Sequence, residues 1–291
     1  MAVIIDNPHQ IDTPPPGLLR YGIFTAATVT DDLSDRMIAA GFSFPAQDCG
    51  VARLYDSQCL PSENEDKTFD EGLPYMEALP YWVYSTRQCG SVGHTAAEFT
   101  ESVRRRFAGA EQGQVEAAFW GGTAPAVDPS LTGTAGVVTV VPSAVGAGAA
   151  IAALEESFYD AYGYVGTIHI NTRGYAALAY AELISDSPAQ GVLRTPIGSH
   201  WSIGAGYGIT GPAGAAPAAG FVWAFMTPPV VIKRSELIRQ TDPRAFMDRT
   251  FNQFMGLAER VYAHTWTCPV VHAVQVPIAA PAVGTAPAVP A

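Results

Sequence analysis

The chain has 291 residues, 48% of them hydrophobic and only 15% charged, so it holds ample apolar surface for a core and folds into one or two domains. A formal net charge of -11 argues against a basic nucleic-acid-binding face. The sequence shows no basic region followed by a long apolar run, and no segment reaches the ~18 consecutive apolar residues that span a bilayer; the reading is a protein made and kept in cytoplasm, or in something assembled there.

In chain order, residues 1–35 carry the run "TPPPG" and little periodicity, which predicts an extended arm rather than a packed element. Residues 36–80 then form a long excursion, with short strand-like pieces on either side of an acidic tip, "SENEDKTFDEG". It has too few apolar residues for a core of its own, so it is expected to work outside the domain that carries it. The clearest helix follows, "TAAEFTESVRRRFAGAEQGQVEAAFWGG". Thr95 and Glu98 form a capping box, and Phe99, Val103, Phe107, Ala110, Val115, Ala118 and Phe119 recur at helical spacing until Gly121 and Gly122 stop it. Such a helix is about 39 Å long at 1.5 Å per residue, long enough to cross a whole layer. Arg104, Arg105 and Arg106 lie on its solvated surface, where they can meet a neighbour's carboxylates.

The next pieces are the strand "VVTVV", a helix whose apolar face includes Val145, Ile151, Leu154 and Phe158, the buried strand "VGTIHI" and a third helix, "TRGYAALAYAELI". This is a β-α-β-α order. "WSIGAG" and "FVWAFM" read as two strands pairing around a mobile loop at Gly206. Residues 242–278 read as a helix, or a helix and strand, passing into a long edge strand, and the Pro/Ala-rich residues 281–291 carry no core-forming pattern.

Signals for chemistry are sparse. "GYGITG", Gly206 to Gly211, has the spacing of a dinucleotide-binding loop, but "PAGAAPAAG" follows it where that mechanism requires a helix N-terminus. A soluble nucleotide-binding α/β enzyme is therefore a minor alternative, and Ser199 and His200, adjacent on a strand, point to opposite faces. Cys49, Cys59, Cys89 and Cys268 are too far apart for a CxxC metal knuckle, and a reducing cytoplasm keeps them as buried thiols. Cys49 and Cys59 could meet across a loop if the protein later leaves the cell. The six histidines show no paired spacing and read as structural. No catalytic, cofactor or metal residue is assigned.

The arm, the excursion, the long helix and "AAIAALEESFYDAYGYVGTIHINTRGYAALAYAELI" together resemble the Hong Kong 97-type fold of tailed-phage major capsid proteins. "LRTPIGSHWSIGAGYG" and "WAFMTPPVVIKRSELI" resemble that family's later strands. The resemblance implies an α+β chain divided into an N-terminal arm (1–35), an extended loop (36–80), a peripheral domain with a spine helix (81–128), an axial domain (129–240), a return to the peripheral domain (241–280) and a tail (281–291). It implies a shell subunit that forms hexamers and pentamers around double-stranded DNA, assembled in the host bacterial cytoplasm and located in the virion. Scaffolding, portal and decoration proteins are its implied partners, with no membrane and no cofactor. An encapsulin-type nanocompartment shell protein shares the fold and is the alternative.

For contacts between subunits, the acidic tip, Glu63, Glu65 and Asp66 with Lys67, is expected to meet Arg104, Arg105 and Arg106 of a neighbour. Some members of the family also join subunits through a lysine–asparagine isopeptide bond assisted by a glutamate. Lys67, Asn252 and Glu259 are the residues that could do so here. The simpler expectation is that Lys67 offsets the surrounding acids while Asn252 and Glu259 are solvated helix positions.

Overall fold

The computed structural model describes residues 17, 19–47, 49–53, 67, 72–90, 95–122, 129–133, 138–142, 146–187, 191–239, 247–248, 250 and 253–278. The first half of the chain forms α1 (Ile23–Ala26), β1 (Thr28–Thr30), α2 (Asp35–Ala40), β2 (Phe42–Pro45), β3 (Tyr75–Ala78), β4 (Tyr81–Gly90) and α3 (Ala96–Gly121). Then come β5 (Val138–Val140), α4 (Ala147–Tyr162), β6 (Thr167–Asn171), α5 (Thr172–Tyr180), β7 (Ser185–Ser187), β8 (Val192–Arg194) and β9 (His200–Gly204). The last strands are β10 (Phe221–Thr227), β11 (Val230–Arg234), β12 (Ile238–Arg239), β13 (Met247–Asp248), β14 (Gln253–Trp266) and β15 (Val271–Pro277).

The predicted arm is packed from about residue 20 onward. Ile23 is fully buried, β1 pairs in parallel with β11, and Leu33 is buried against Ala78, Val261 and Ala263. Ion pairs hold this segment in register: Lys233 to Asp32 at 2.5 Å, and Arg234 to Asp31. Both carboxyls are pulled below their ordinary range by these hydrogen-bonded cations. Short apolar anchors among polar residues gave no periodicity from which to foresee the packing.

α3 starts and stops where the sequence predicts. The Glu98 N–H donates to Thr95 Oγ1, the Thr95 N–H donates to Glu98 Oε2 at 2.9 Å, and Gly122 takes the left-handed conformation that ends the helix. Phe99, Val103, Phe107, Val115, Ala118 and Phe119 are buried, whereas Ala110 is exposed. The buried stripe lies on a six-stranded sheet ordered β1-β11-β14-β12, with β4 and β13 also pairing with β14. Gly256 of β14 lets the helix come close: a Cβ there would sit 2.7 Å from Val103 Cγ2.

β14 corrects the expectation of a helix within 242–278. It is a 14-residue strand at the centre of the sheet, paired with β4 along one side and with β11, β12 and β13 along the other. Phe254, Ala258, Tyr262 and Trp266 face α3. They are four residues apart, a spacing that puts side chains on one face of a helix and equally on one face of a strand.

The second sheet has seven strands in the order β5-β15-β10-β6-β9-β8-β7. β9 and β10 do not pair with each other; they flank β6, β9 in parallel and β10 antiparallel. Ile151, Leu154 and Phe158 of α4 and Leu178 of α5 cover one face through Ile168, Ile170, Val222 and Ala224. Val145, expected on the same helix face, lies outside the described residues. The other face, with Trp223, Phe225 and Ala273, joins the core under α3. β11 and β12 fall within 129–240 yet belong to the first sheet, while β15 falls within 241–280 and belongs to the second.

Among the described residues β2 and β3 pair only with each other; they frame the excursion, with an Ala46 N–H to Pro74 carbonyl bond of 2.8 Å just inside them. The cysteine expectation is overturned here. Cys49 is disulfide-bonded to Cys268, not left as a thiol and not paired with Cys59, which lies outside the described residues. The partners are 219 positions apart, a proximity that only the folded chain creates.

Candidate functional site

The centre of the molecule is built on a carboxylate that sequence reading passed over. Glu116 of α3 is 1% exposed, and its carboxylate accepts from the Ile23 N–H at 3.3 Å, the Gly206 N–H at 3.0 Å and Gln112 Nε2 at 2.9 Å. Burial raises its pKa, and the three donors oppose that rise. One side chain thus ties the N-terminal segment, the spine helix and the loop after β9 together.

The same contact explains "GYGITG". A Cβ at Gly206 would lie 2.1 Å from the carbonyl oxygen of Gly113, one at Gly208 would lie 2.7 Å from Trp120 Cδ1, and one at Gly211 would lie 2.1 Å from Trp223 Cε2. Gly204 would collide with the Glu116 carboxylate itself. The stretch is a strap pressed onto α3 and its glycines permit close approach; it is not a mobile loop between paired strands. Its single backbone donor to a carboxylate is already inside the protein. Tyr207, buried in the strap, hydrogen-bonds Ser202 at 2.5 Å and His169 at 3.1 Å, and His169 bonds Thr227 at 2.9 Å. His264 bonds Tyr81 at 2.9 Å and the Pro129 carbonyl at 3.0 Å. These are closed networks inside the core, as the structural reading of the histidines expects for His169 and His264.

The three spine arginines separate. Arg104 pairs with Glu101 on its own helix at 2.6 Å, Arg106 donates to the Thr86 carbonyl of β4 at 3.3 Å, and Arg105 is exposed. Arg106 joins Arg87, Gln88 and Met255 in lining an open groove of about 550 Å³ at the end of β4. Glu63, Glu65 and Asp66, their expected counterparts, lie outside the described residues. So does Asn252. Lys67 is exposed, and Glu259 sits on β14 opposite Tyr84, not on a helix.

The side of the first sheet away from α3 carries a second unforeseen feature. Trp82 is 51% exposed, Tyr84 66%, Ile238 45% and Met255 41%, all on one face of β4, β12 and β14. β4 is also an edge: among the described residues it pairs along one side only, with β14. Tyr81 and Val83 are buried while Trp82 and Tyr84 are exposed, but "YWVY" is apolar or aromatic throughout, so the sequence carried no signal for the outer face.

Among the described residues, no group of three or more histidine, cysteine, aspartate or glutamate side chains could hold a metal ion, and no helix is long and apolar enough to cross a membrane. Neither a protein-family model nor a curated protein sequence matches the chain. Solved structures do. A chain of Gordonia phage Cozz is similar with a TM-score of 0.57 and 16% identity, over 96% of this chain and 92% of that one. The capsid of the empty GTA particle follows at 0.56 and 13% identity, over 94% and 96%, and a chain of Mycobacterium phage Adephagia at 0.51 and 13%, over 96% and 97%. The chain therefore has the Hong Kong 97-type fold.

Proposed function

We propose that this chain is a major capsid protein that assembles into the icosahedral head shell around the double-stranded DNA of a tailed bacteriophage. The observation that carries the reading is the fold likeness, which runs over nearly the whole of this chain and of the capsid chains alike. Two local features support it. The outer face of the first sheet leaves large aromatic side chains in water, and among the described residues the strands that frame the excursion, β2 and β3, pair only with each other. Neighbouring copies in a closed symmetric shell cover such surfaces on every subunit.

The division into arm, extended loop, peripheral domain, axial domain, peripheral return and tail belongs to this proposal. So do hexamers and pentamers of the chain, assembly in the host cytoplasm, and scaffolding, portal and decoration partners. Contact with packaged DNA is non-specific on this reading, as suits a chain of net charge -11. The acidic tip of one copy, Glu63, Glu65 and Asp66, meets Arg105 and Arg106 of the next, where the groove beside β4 is open.

Electron microscopy of the protein expressed in bacteria, with and without genes for a scaffold and a portal, tests the reading. Closed shells that package DNA once the portal is present are expected. Shells that fill with a protein cargo instead would identify an encapsulin-type compartment, and a persistent monomer would end both readings.

A further inference from the structure

Cys49 and Cys268 join the root of the excursion to the junction of the two larger sheets. Cys49 lies four residues beyond β2, where the excursion leaves the body, and among the described residues β2 and β3 pair with no third strand. A two-stranded sheet is marginal alone. One end of this root is held by Phe42, Met37 and Ile38 packing on Leu33, Val261 and Ala263. At the other end Ala46 and Met76 are buried in the core under α3, and Cys49 beside them carries the disulfide.

Cys268 lies in the turn between β14 and β15, where the chain passes from the first sheet to the second. That turn is fixed on all sides. The Thr267 N–H bonds the Pro229 carbonyl at 3.1 Å, the Tyr162 hydroxyl donates to the Val270 carbonyl at 2.8 Å and accepts from the Val270 N–H at 2.9 Å, and the Tyr164 hydroxyl lies 3.5 Å from Cys268 Sγ. The Cα atoms of the two cysteines are 5.6 Å apart, within the range a disulfide takes.

We propose that this pair is an oxidative modification site: two thiols while the subunit is in a reducing cytoplasm, closed into a disulfide after release, fixing the excursion root to the junction of the sheets. The timing rests on the capsid reading, because a shell subunit passes from one redox compartment to the other. Burial sets the order of the chemistry. Cys49 is only partly buried and Cys268 is fully buried. The Cys49 thiolate therefore attacks a low-molecular-weight disulfide, expelling one small thiolate and leaving a mixed disulfide. The Cys268 thiolate then attacks Cys49 Sγ and expels the second. The protein pair is oxidised by two electrons, the small disulfide is reduced to two thiols, and those thiols take up the two protons the cysteines lost.

The test uses whole particles. Cells are lysed into an alkylating reagent, particles released into oxidised glutathione are alkylated in parallel, and intact-mass and peptide mapping locate the free thiols. Expected are alkylated Cys49 and Cys268 inside the cell and a Cys49–Cys268 peptide afterwards. Reduction should lower the subunit melting temperature by about 4 to 10 °C, as a disulfide closing a long loop implies. Cys49→Ser should melt at the reduced value and no longer respond to reductant. Cys268→Ser, at a fully buried position, is a harsher change, so reduction of the wild-type chain serves as the second measurement.

Particles that stay fully alkylatable after release, a Cys49–Cys59 peptide, or a link already complete inside the cell would each overturn the proposal. A chain that forms the link on oxidation but never builds particles supports the site and contradicts the capsid reading.

Discussion

The two faces of the six-stranded sheet are made by the same strands and have opposite fates. Toward α3, Phe254, Ala258, Tyr262 and Trp266 meet Phe99, Val103, Phe107 and Phe119, and Glu111 is closed off by Arg260 at 3.2 Å and the Tyr262 hydroxyl at 2.6 Å. Away from α3, Trp82, Tyr84, Ile238 and Met255 remain in water, although the far end of this face is covered by Leu33 and its neighbours. Apolar side chains stabilise the fold only where another element removes them from water. The inner face therefore carries the stability of the subunit, and the outer face is left to carry its contacts.

The largest expected effect is on the inner face. Phe107→Ala deletes a fully enclosed ring and should cost about 3 to 5 kcal/mol in a denaturant melt of the dissociated subunit. A loss near zero would show that the helix phase is wrong. Next is the strap: Gly206→Ala forces a methyl group against the Gly113 carbonyl oxygen and should cost about 1 to 3 kcal/mol through overpacking. A neutral result would mean the strap lifts freely from α3.

Acid should act through the same core. Burial pulls the pKa of His169 down to about 3, helped by the neighbouring His264, and that of His264 down to about 4. Unfolded histidine takes up its proton near pH 6.5 while these native rings stay neutral, so stability is full above that pH and falls as pH drops toward 4. Glu116 contributes with the opposite sign: its raised pKa means stability is lost as pH climbs above the unfolded carboxyl value. Melting midpoints of the dissociated subunit should fall between pH 7 and pH 5, and less steeply in His169→Gln. Equal midpoints across that interval would contradict the closed histidine networks.

The outer face gives the smallest effect on the subunit alone. Trp82→Ser and Tyr84→Ser should each change its stability by less than about 0.5 kcal/mol, as exposed positions do, while reducing the yield of assembled particles. Destabilisation as large as that of Phe107→Ala would place these side chains inside the core and remove the contrast between the faces.

What the sequence disclosed follows the range of the interactions involved. The spine helix was legible to the residue because capping box, stripe and glycine stop are all local. β14 was not, since its four-residue spacing serves either period and its longest pairing, with β4, is distant in sequence. Glu116 was invisible for a similar reason: Gln112, Glu116 and Trp120 form an ordinary helix stripe until Ile23 and the glycine strap arrive to cover it. The Cys49–Cys268 pair joins positions 219 residues apart, and compartment alone argued for thiols. On the outer face, all four residues of "YWVY" are apolar or aromatic, so nothing local says which of them face solvent or that a solvent-side tryptophan awaits a partner.

The mass of the purified native chain, measured by sedimentation over a range of concentrations with a scaffold supplied, tests the central claim most directly. A shell subunit of 30.7 kDa should appear as five- and six-fold multiples of that mass and as closed particles far larger. A single folded species at 30.7 kDa under every condition would contradict the account, because the outer face would then stay in water throughout the life of the protein.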